Sequence, residues 1–289
     1  MERIRIGKHE LVSPIYNASG VHCVYTTQLD ELYNNQYSGA VVTKSSTLQS
    51  RNGNDSPRYF SDNGYSINSS GLPNLGMNKY IDWINSRDLR KPCILSVAPL
   101  SREDLKIQLN IISDNVSIID PEINLSCPNI VGKPQVAYDL VTFEEYNRII
   151  SEKFGEKGYG LKLPPYFDNS IIDNVVDIIN PINTNSYVTC INSVPNGFML
   201  DSDYQQVIAP NDGFGGFGGK YILPIALASV KKFSTLTNKD IVGCGGIACG
   251  NDIKKHMLCG AKAVQIGTTL YENGLSEFER LYKEYINIL

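Results

Sequence analysis

Short apolar runs alternate with longer amphipathic stretches along the whole chain. The apolar runs fall at residues 14–18, 40–43, 93–98, 118–125, 160–163, 187–191, 241–244 and 263–266. Each has the length and continuity of a strand buried on both faces. Helix-forming stretches lie between or after them at residues 28–36, 80–87, 103–112, 143–154, 171–179, 222–233, 252–258 and 277–288. Strands that alternate with helices predict parallel βαβ units. Eight such units in 289 residues predict a (β/α)8 barrel, an α/β fold forming one domain over residues 1–289. Two connections are longer than the rest. Residues 46–76 are rich in Ser, Asn, Gly and Pro, and residues 193–220 are rich in Gly. They follow the second and sixth strands, so both belong on the C-terminal face of the barrel, as does the loop after the fourth strand.

The residues capable of chemistry cluster just past the strand ends. Ser19-Gly20 follows the first strand, Lys44-Ser45 the second, and Asn124 to Asn129 the fourth; the fifth delivers Lys162 and the sixth Asn192-Ser193. Gly245-Gly246 and Gly267-Thr268 follow the seventh and eighth. A barrel brings all of these to one rim. Glycine-bearing turns after the last two strands expose backbone N–H groups suited to a phosphate, whether of a cofactor or of a substrate. Their plainer use is as tight βα turns. Lys44 and Lys162 end apolar strands, where a lysine is costly to bury unless it meets an anion. A lysine that snorkels to solvent is the competing reading. Asn68, Asn124, Asn129 and Asn192 offer neutral donors and acceptors for a planar polar ligand, although any one of them alone is more often a turn residue. Cys127 lies between Ser126 and Pro128 in a polar loop. There a thiol can serve as a proton acceptor. No His adjoins it in sequence, which favours a base over a nucleophile.

Composition narrows the classes. A net charge of -4 without a Lys/Arg run argues against a nucleic-acid surface. No apolar stretch approaches the ~20 residues of a membrane helix. The N-terminus alternates apolar and charged residues and lacks the apolar core of a signal peptide, so a cytoplasmic protein is expected. The seven cysteines are odd in number and form no C-x-x-C, which fits a reducing compartment. The three histidines show no metal-ligand spacing, and no metal is expected.

Several segments together resemble one family. Asn17-Ala18-Ser19-Gly20-Val21-His22, Thr43-Lys44-Ser45-Ser46-Thr47, Ser66-Ile67-Asn68-Ser69 and Gly71-Leu72-Pro73-Asn74-Leu75-Gly76 are similar to dihydroorotate dehydrogenases. So are Ile123-Asn124-Leu125-Ser126-Cys127-Pro128-Asn129, Gly132-Lys133-Pro134-Gln135, Leu161-Lys162-Leu163-Pro164-Pro165, Asp212-Gly213-Phe214-Gly215-Gly216 and Cys244-Gly245-Gly246-Ile247. The cysteine at 127 and the 132–139 segment resemble the soluble, fumarate-linked class 1A enzymes, which are cytosolic FMN-containing homodimers. The resemblance implies that dihydroorotate is oxidised to orotate in pyrimidine biosynthesis, with fumarate reduced to succinate. It implies Cys127 as the catalytic base and Lys44, Asn68, Gly71, Leu72, Asn124, Asn129, Asn192 and Ser193 as substrate-binding. Ala18, Ser19, Gly20, Lys44, Ser45, Asn124, Lys162 and Ile191 are implied to line the flavin ring and ribityl chain. Gly218, Gly219, Gly245, Gly246, Gly267 and Thr268 are implied to hold the ribityl phosphate. Residues 129–138 are implied to form a lid.

Ser70 departs from the family's usual Met beside the substrate loop, and relatives of this class usually continue beyond the position of Leu289. Two enzyme rivals stand beside this reading: an NAD-linked class 1B catalytic subunit working with an iron–sulfur flavoprotein partner, and an unrelated phosphate-binding barrel enzyme. A third rival is a non-catalytic flavin-binding barrel. Keeping Cys127, both lysines and all four asparagines argues against the last.

Overall fold

A computed structural model describes residues 4–88, 90–126, 135–155 and 157–289. All eight expected strands are present. They are β1 (Ile15–Asn17), β2 (Val41–Val42), β3 (Cys93–Ile94 and Ser96–Val97), β4 (Glu122–Asn124), β5 (Tyr159–Leu163), β6 (Asn185–Cys190), β7 (Asp240–Cys244) and β8 (Ala263–Ile266). Seven pair in parallel in the order β1-β8-β7-β6-β5-β4-β3, and the first half of β3 also pairs with β2. Side-chain and backbone bonds close the remaining seam. The Asn17 amide donates to the Val42 carbonyl at 2.8 Å and accepts from the Val42 N–H at 2.9 Å, and Gly39 N–H donates to the Ile15 carbonyl at 2.7 Å.

The strands read as continuous apolar runs because both faces are covered. All five residues of β5 are buried. The inside is filled by Tyr16, Val42, Ile94, Tyr187, Val242 and Ala263, and Ile6 and Leu11 join that cluster from an N-terminal hairpin of Ile4–Ile6 and His9–Leu11. Gly160 makes room for this filling, since a Cβ there would fall 2.1 Å from the Tyr187 ring.

Helices α1 (Thr26–Asn34), α2 (Met77–Asn85), α3 (Arg102–Asp114), α4 (Leu140–Phe154), α5 (Asn169–Ile179), α6 (Leu223–Leu236) and α7 (Gly250–Leu258) match expected helical stretches to within a few residues. So does the last helix, α9 (Ser276–Ile286), while the short α8 (Thr268–Asn273) was not expected. Ser101, Asp139 and Asp168 cap the first turns of α3, α4 and α5. Three lysines close helix ends. Lys91 reaches the carbonyls of Leu32 and Asn35, Lys157 those of Ile112 and Asn115, and Lys239 that of Ile182. Each precedes an odd-numbered strand and caps the last turn of a helix two units earlier or the chain just past it, satisfying orphan carbonyls.

The two long connections are not structureless. Strands Tyr59–Asp62 and Tyr65–Asn68 from the first pair with Val194–Gly197 and Gly215–Gly219 from the second in one antiparallel sheet. Ile67, Val207 and Ile208 form its small core. The third long loop, after β4, lies partly outside the described residues.

Candidate active site

The C-terminal strand ends and the antiparallel sheet enclose a cavity of about 460 Å³, a size suited to a small ligand. Two cations reach it from the strand ends. Lys44 is 8% exposed and Lys162 4% exposed, so neither snorkels to solvent. Lys162 Nζ donates to Gln265 Oε1 at 2.5 Å. Lys44 Nζ lies against Gly20, only 3.2 Å from where a Cβ on that glycine would sit. Buried ammonium groups beside an open cavity fit an anionic or electron-rich ligand.

Neutral polar groups interlock around these lysines. The Ser19 hydroxyl lies 2.9 Å from the Ser45 hydroxyl and accepts from the Ser45 N–H at 2.9 Å. Asn124 Nδ2 donates to Ser45 Oγ at 3.1 Å, and Asn124 Oδ1 accepts from the Ser126 N–H at 3.1 Å. Asn192 Nδ2 donates to the Ser126 carbonyl at 3.0 Å, while its Oδ1 accepts from the Ser193 N–H at 2.9 Å. From the sheet, Asn68 Nδ2 donates to the Gly216 carbonyl at 3.2 Å. Each amide is thereby held in one orientation before any ligand arrives, which is the condition for cheap, specific recognition.

The far end is built from backbone. Gly218, Gly219, Gly245, Gly246, Gly267 and Thr268 line it, with Thr268 Oγ1 2.8 Å from Ser66 Oγ. Gly246 has φ +81°, and a Cβ there would fall 2.3 Å from Leu223 Cα, so the turn approaches α6 more closely than any side chain allows. His256 Nε2 lies 3.1 Å from the Gly245 carbonyl. Burial holds the His256 pKa below the usual value, so the neutral imidazole donates to that carbonyl and pins the turn.

The cavity gathers Ala18, Ser19, Gly20, Lys44, Ser45, Asn68, Gly71, Leu72, Asn124, Lys162, Ile191, Asn192 and Ser193 together with the glycine-rich end. Cys127 and Asn129 lie outside the described residues. Tyr25, Arg58, Tyr59, Gln265 and Tyr271 also line the cavity and were not singled out from the sequence. Gln265 carried a readable signal, a lone polar residue inside the apolar run of β8. Tyr59 and Tyr271 carried none, because their rings meet, with centroids 3.8 Å apart, only through the fold. Ser70 lines the cavity as well, with its hydroxyl 3.4 Å from Asn68 Oδ1. The six described cysteines are all free thiols. Burial pushes Cys23 up to about 11 and also raises Cys190, which suits small buried hydrophobes rather than reactive groups.

Comparison with known proteins bears on this cavity. Residues 1–289 match the family model for dihydroorotate dehydrogenase. Similar relatives include the dihydroorotate dehydrogenase (fumarate) of Lachancea kluyveri, 45% identical over 283 residues, which cover 96% of this chain and 89% of that protein. Another is the dihydroorotate dehydrogenase A (fumarate) of Lactococcus lactis subsp. lactis, 45% identical over 290 residues, covering 97% of this chain and 91% of that protein. Among solved structures, DHODH from Eimeria tenella in complex with ferulenol matches with a TM-score of 0.79 at 17% identity. That match covers 99% of this chain and 84% of the other, and it is a likeness of fold.

Proposed function

The chain belongs to the dihydroorotate dehydrogenase family, and from that premise we propose that its rim cavity is where dihydroorotate is oxidised to orotate and fumarate is reduced to succinate. The observation that carries this reading is the burial of Lys44 and Lys162 in one cavity with a lattice of fixed, neutral amides. Cations there balance a carboxylate or a developing anion, and amides grip the edges of a planar ring without forcing its charge.

The cavity also fits FMN. Lysines and amides stand at one end for a ring with polar edges, and close-set glycine turns stand at the other for a phosphate. When bound, FMN supplies a two-electron acceptor for the hydride that the substrate loses. Ala18, Ser19, Gly20, Ser45 and Ile191 would line its ring and ribityl chain, and the Gly245-Gly246 and Gly267-Thr268 turns its phosphate. Conversion of dihydroorotate to orotate removes a proton from C5 and a hydride from C6, leaving a C5=C6 double bond. Cys127, as thiolate, takes the C5 proton. Lys44, Asn68, Asn124, Asn129, Asn192 and Ser193, with the backbone at Gly71 and Leu72, hold the ring so that C5 faces that thiolate. The 129–138 segment, of which 129–134 lie outside the described residues, is the candidate lid that would exclude water from the substrate.

Residues 1–289 act as one domain in this reading, in the cytoplasm and as a homodimer. Free thiols at every described cysteine support a reducing compartment. Phe198, Leu200, Tyr204 and Phe214 expose apolar surface beside the antiparallel sheet, which supports pairing with a second copy. Among the described residues no helix is long and apolar enough to cross a membrane.

One anaerobic titration tests the assignment. Dihydroorotate should bleach the flavin absorbance of the purified protein, and fumarate should restore it. A bound flavin that dihydroorotate leaves unbleached would remove the substrate assignment, and bleaching that fumarate cannot reverse would remove the acceptor. Cys127→Ala should lose nearly all turnover while keeping FMN, and near-normal turnover would take Cys127 out of the mechanism.

A further inference from the structure

Inside the barrel, next to the cavity, a carboxylate is buried with no exposed surface. Glu122 Oε2 accepts from Gln265 Nε2 at 2.7 Å and from Thr189 Oγ1 at 2.8 Å. Gln265 Oε1 accepts in turn from Lys162 Nζ at 2.5 Å. Glu122, Thr189 and Gln265 come from β4, β6 and β8, the alternate strands that supply one layer of a barrel interior. Lys162 and Gln265 line the cavity, whereas Glu122 and Thr189 do not. The other oxygen of Glu122 has no hydrogen-bond partner among the described residues, so the carboxylate is compensated through Gln265 and Thr189.

This arrangement has one consistent set of donors. A carboxylate only accepts, so Gln265 must turn its amide nitrogen to Glu122 and its oxygen to Lys162. Turned the other way, its NH2 would face an ammonium group. We infer that Glu122, acting through Gln265, is the positioning group for Lys162. It fixes the ammonium at the edge of the cavity and leaves two further N–H donors for a ligand. Neither Glu122 nor Thr189 touches the ligand, and nothing in the family assignment calls for either. The inference rests on the flavin reading above, because the ligand presented to Lys162 is taken to be the flavin ring.

The test separates the two. Apoprotein is titrated with FMN by fluorescence quenching, and the two-electron potential of the reconstituted protein is measured by dye equilibration. The proteins compared are wild type, Gln265→Leu, Glu122→Gln, Thr189→Val, Lys162→Met and the Lys162→Met/Gln265→Leu double variant. Gln265→Leu should weaken FMN binding and lower the potential by about 30 mV, a tenfold weaker hold on reduced relative to oxidised flavin. Glu122→Gln keeps the shape but removes the charge and lets the Gln265 amide turn. It should shift both quantities the same way by about threefold, and it serves if Gln265→Leu fails to fold. Thr189→Val removes one of the two donors to Glu122 but leaves the link through Gln265 in place, so it should shift both quantities less than Gln265→Leu does, and Gln265→Leu should change nothing further once Lys162 is Met. Three results overturn the inference: unchanged potentials in Glu122→Gln and Gln265→Leu, an equal shift in Thr189→Val, or an undiminished shift in the Lys162→Met background. A wild-type protein that takes up no FMN overturns the flavin reading instead.

Discussion

Lys91 offers a stability test that depends on its surroundings rather than on catalysis. It stands two residues before β3, is 7% exposed, and donates to the carbonyls of Leu32 at 3.1 Å in the last turn of α1 and of Asn35 at 2.5 Å just past it. Those contacts favour the ammonium. Burial is the larger effect and lowers the pKa from 10.5 to about 8, with Cys93 acting in the opposite direction and Arg90 in the same one. The folded state therefore holds this proton less firmly than the unfolded chain does. Below pH 8 the lysine carries a cost to folding, and that cost is relieved as pH climbs from 8 to 10.5. The whole span is worth up to about 3 kcal/mol, at roughly 1.4 kcal/mol for each tenfold step. Between pH 7 and pH 9 about 1.4 kcal/mol of it should appear. Lys91→Met keeps the apolar stem and removes the titration. Urea unfolding of both proteins at pH 7 and pH 9 reads the difference, and the titrations of tyrosines and other cysteines largely cancel between them. The wild type should gain on the variant by about 1–1.5 kcal/mol over that interval. A separation that stays constant with pH would refute the argument that this amine is desolvated.

Three further outcomes are expected. Lys44→Met should retain FMN but lose at least about a hundredfold in kcat/KM for dihydroorotate, measured by anaerobic stopped flow, because the amide lattice remains while the charge against Gly20 is gone. Gly246→Ala should lower both thermal stability and FMN affinity, since its Cβ would fall 2.3 Å from Leu223 Cα; unaltered affinity by quenching titration would mean the turn does not touch the ligand. His9 and His256 are both held below 6.5 by burial, so the unfolded chain binds protons more readily than the fold does as pH falls. Stability present above pH 6.5 should therefore be lost progressively below it, and His256→Gln should show a shallower fall in melting temperature between pH 7.5 and 5.5.

The barrel was legible in the sequence because its strands are covered on both faces, so that segments such as residues 241–244 appear as unbroken apolar runs. The rim was legible for a related reason, since polar residues directly after such runs have nowhere else to go. The antiparallel sheet left no such trace. Gly215–Gly219 has one side chain of any size, and its place is set by backbone pairing and by contacts a Cβ would forbid, such as the 2.1 Å approach of Ser193 Oγ at Gly216. The helix caps from Lys91, Lys157 and Lys239 were also hidden, because each depends on a helix two units earlier in the chain. Glu122 left no readable signal inside the 118–125 run, because its burial depends on Gln265 from a strand 143 residues away.

One wall of the cavity joins distant parts of the chain, with Asn68 opposite Gly216 across 148 residues. A growing chain cannot complete this wall until the strand at Gly215–Gly219 has been made, so the pocket matures late, after most barrel strands exist. A ligand seated there is gripped by the first quarter of the sequence and the last third together, and it acts as a fastener between them. At a hundred times its dissociation constant such a ligand adds about 2.7 kcal/mol against opening. Scarcity of the cofactor should thus be felt first as proteolytic nicking in residues 46–76 and 193–220, well before the barrel beneath them gives way.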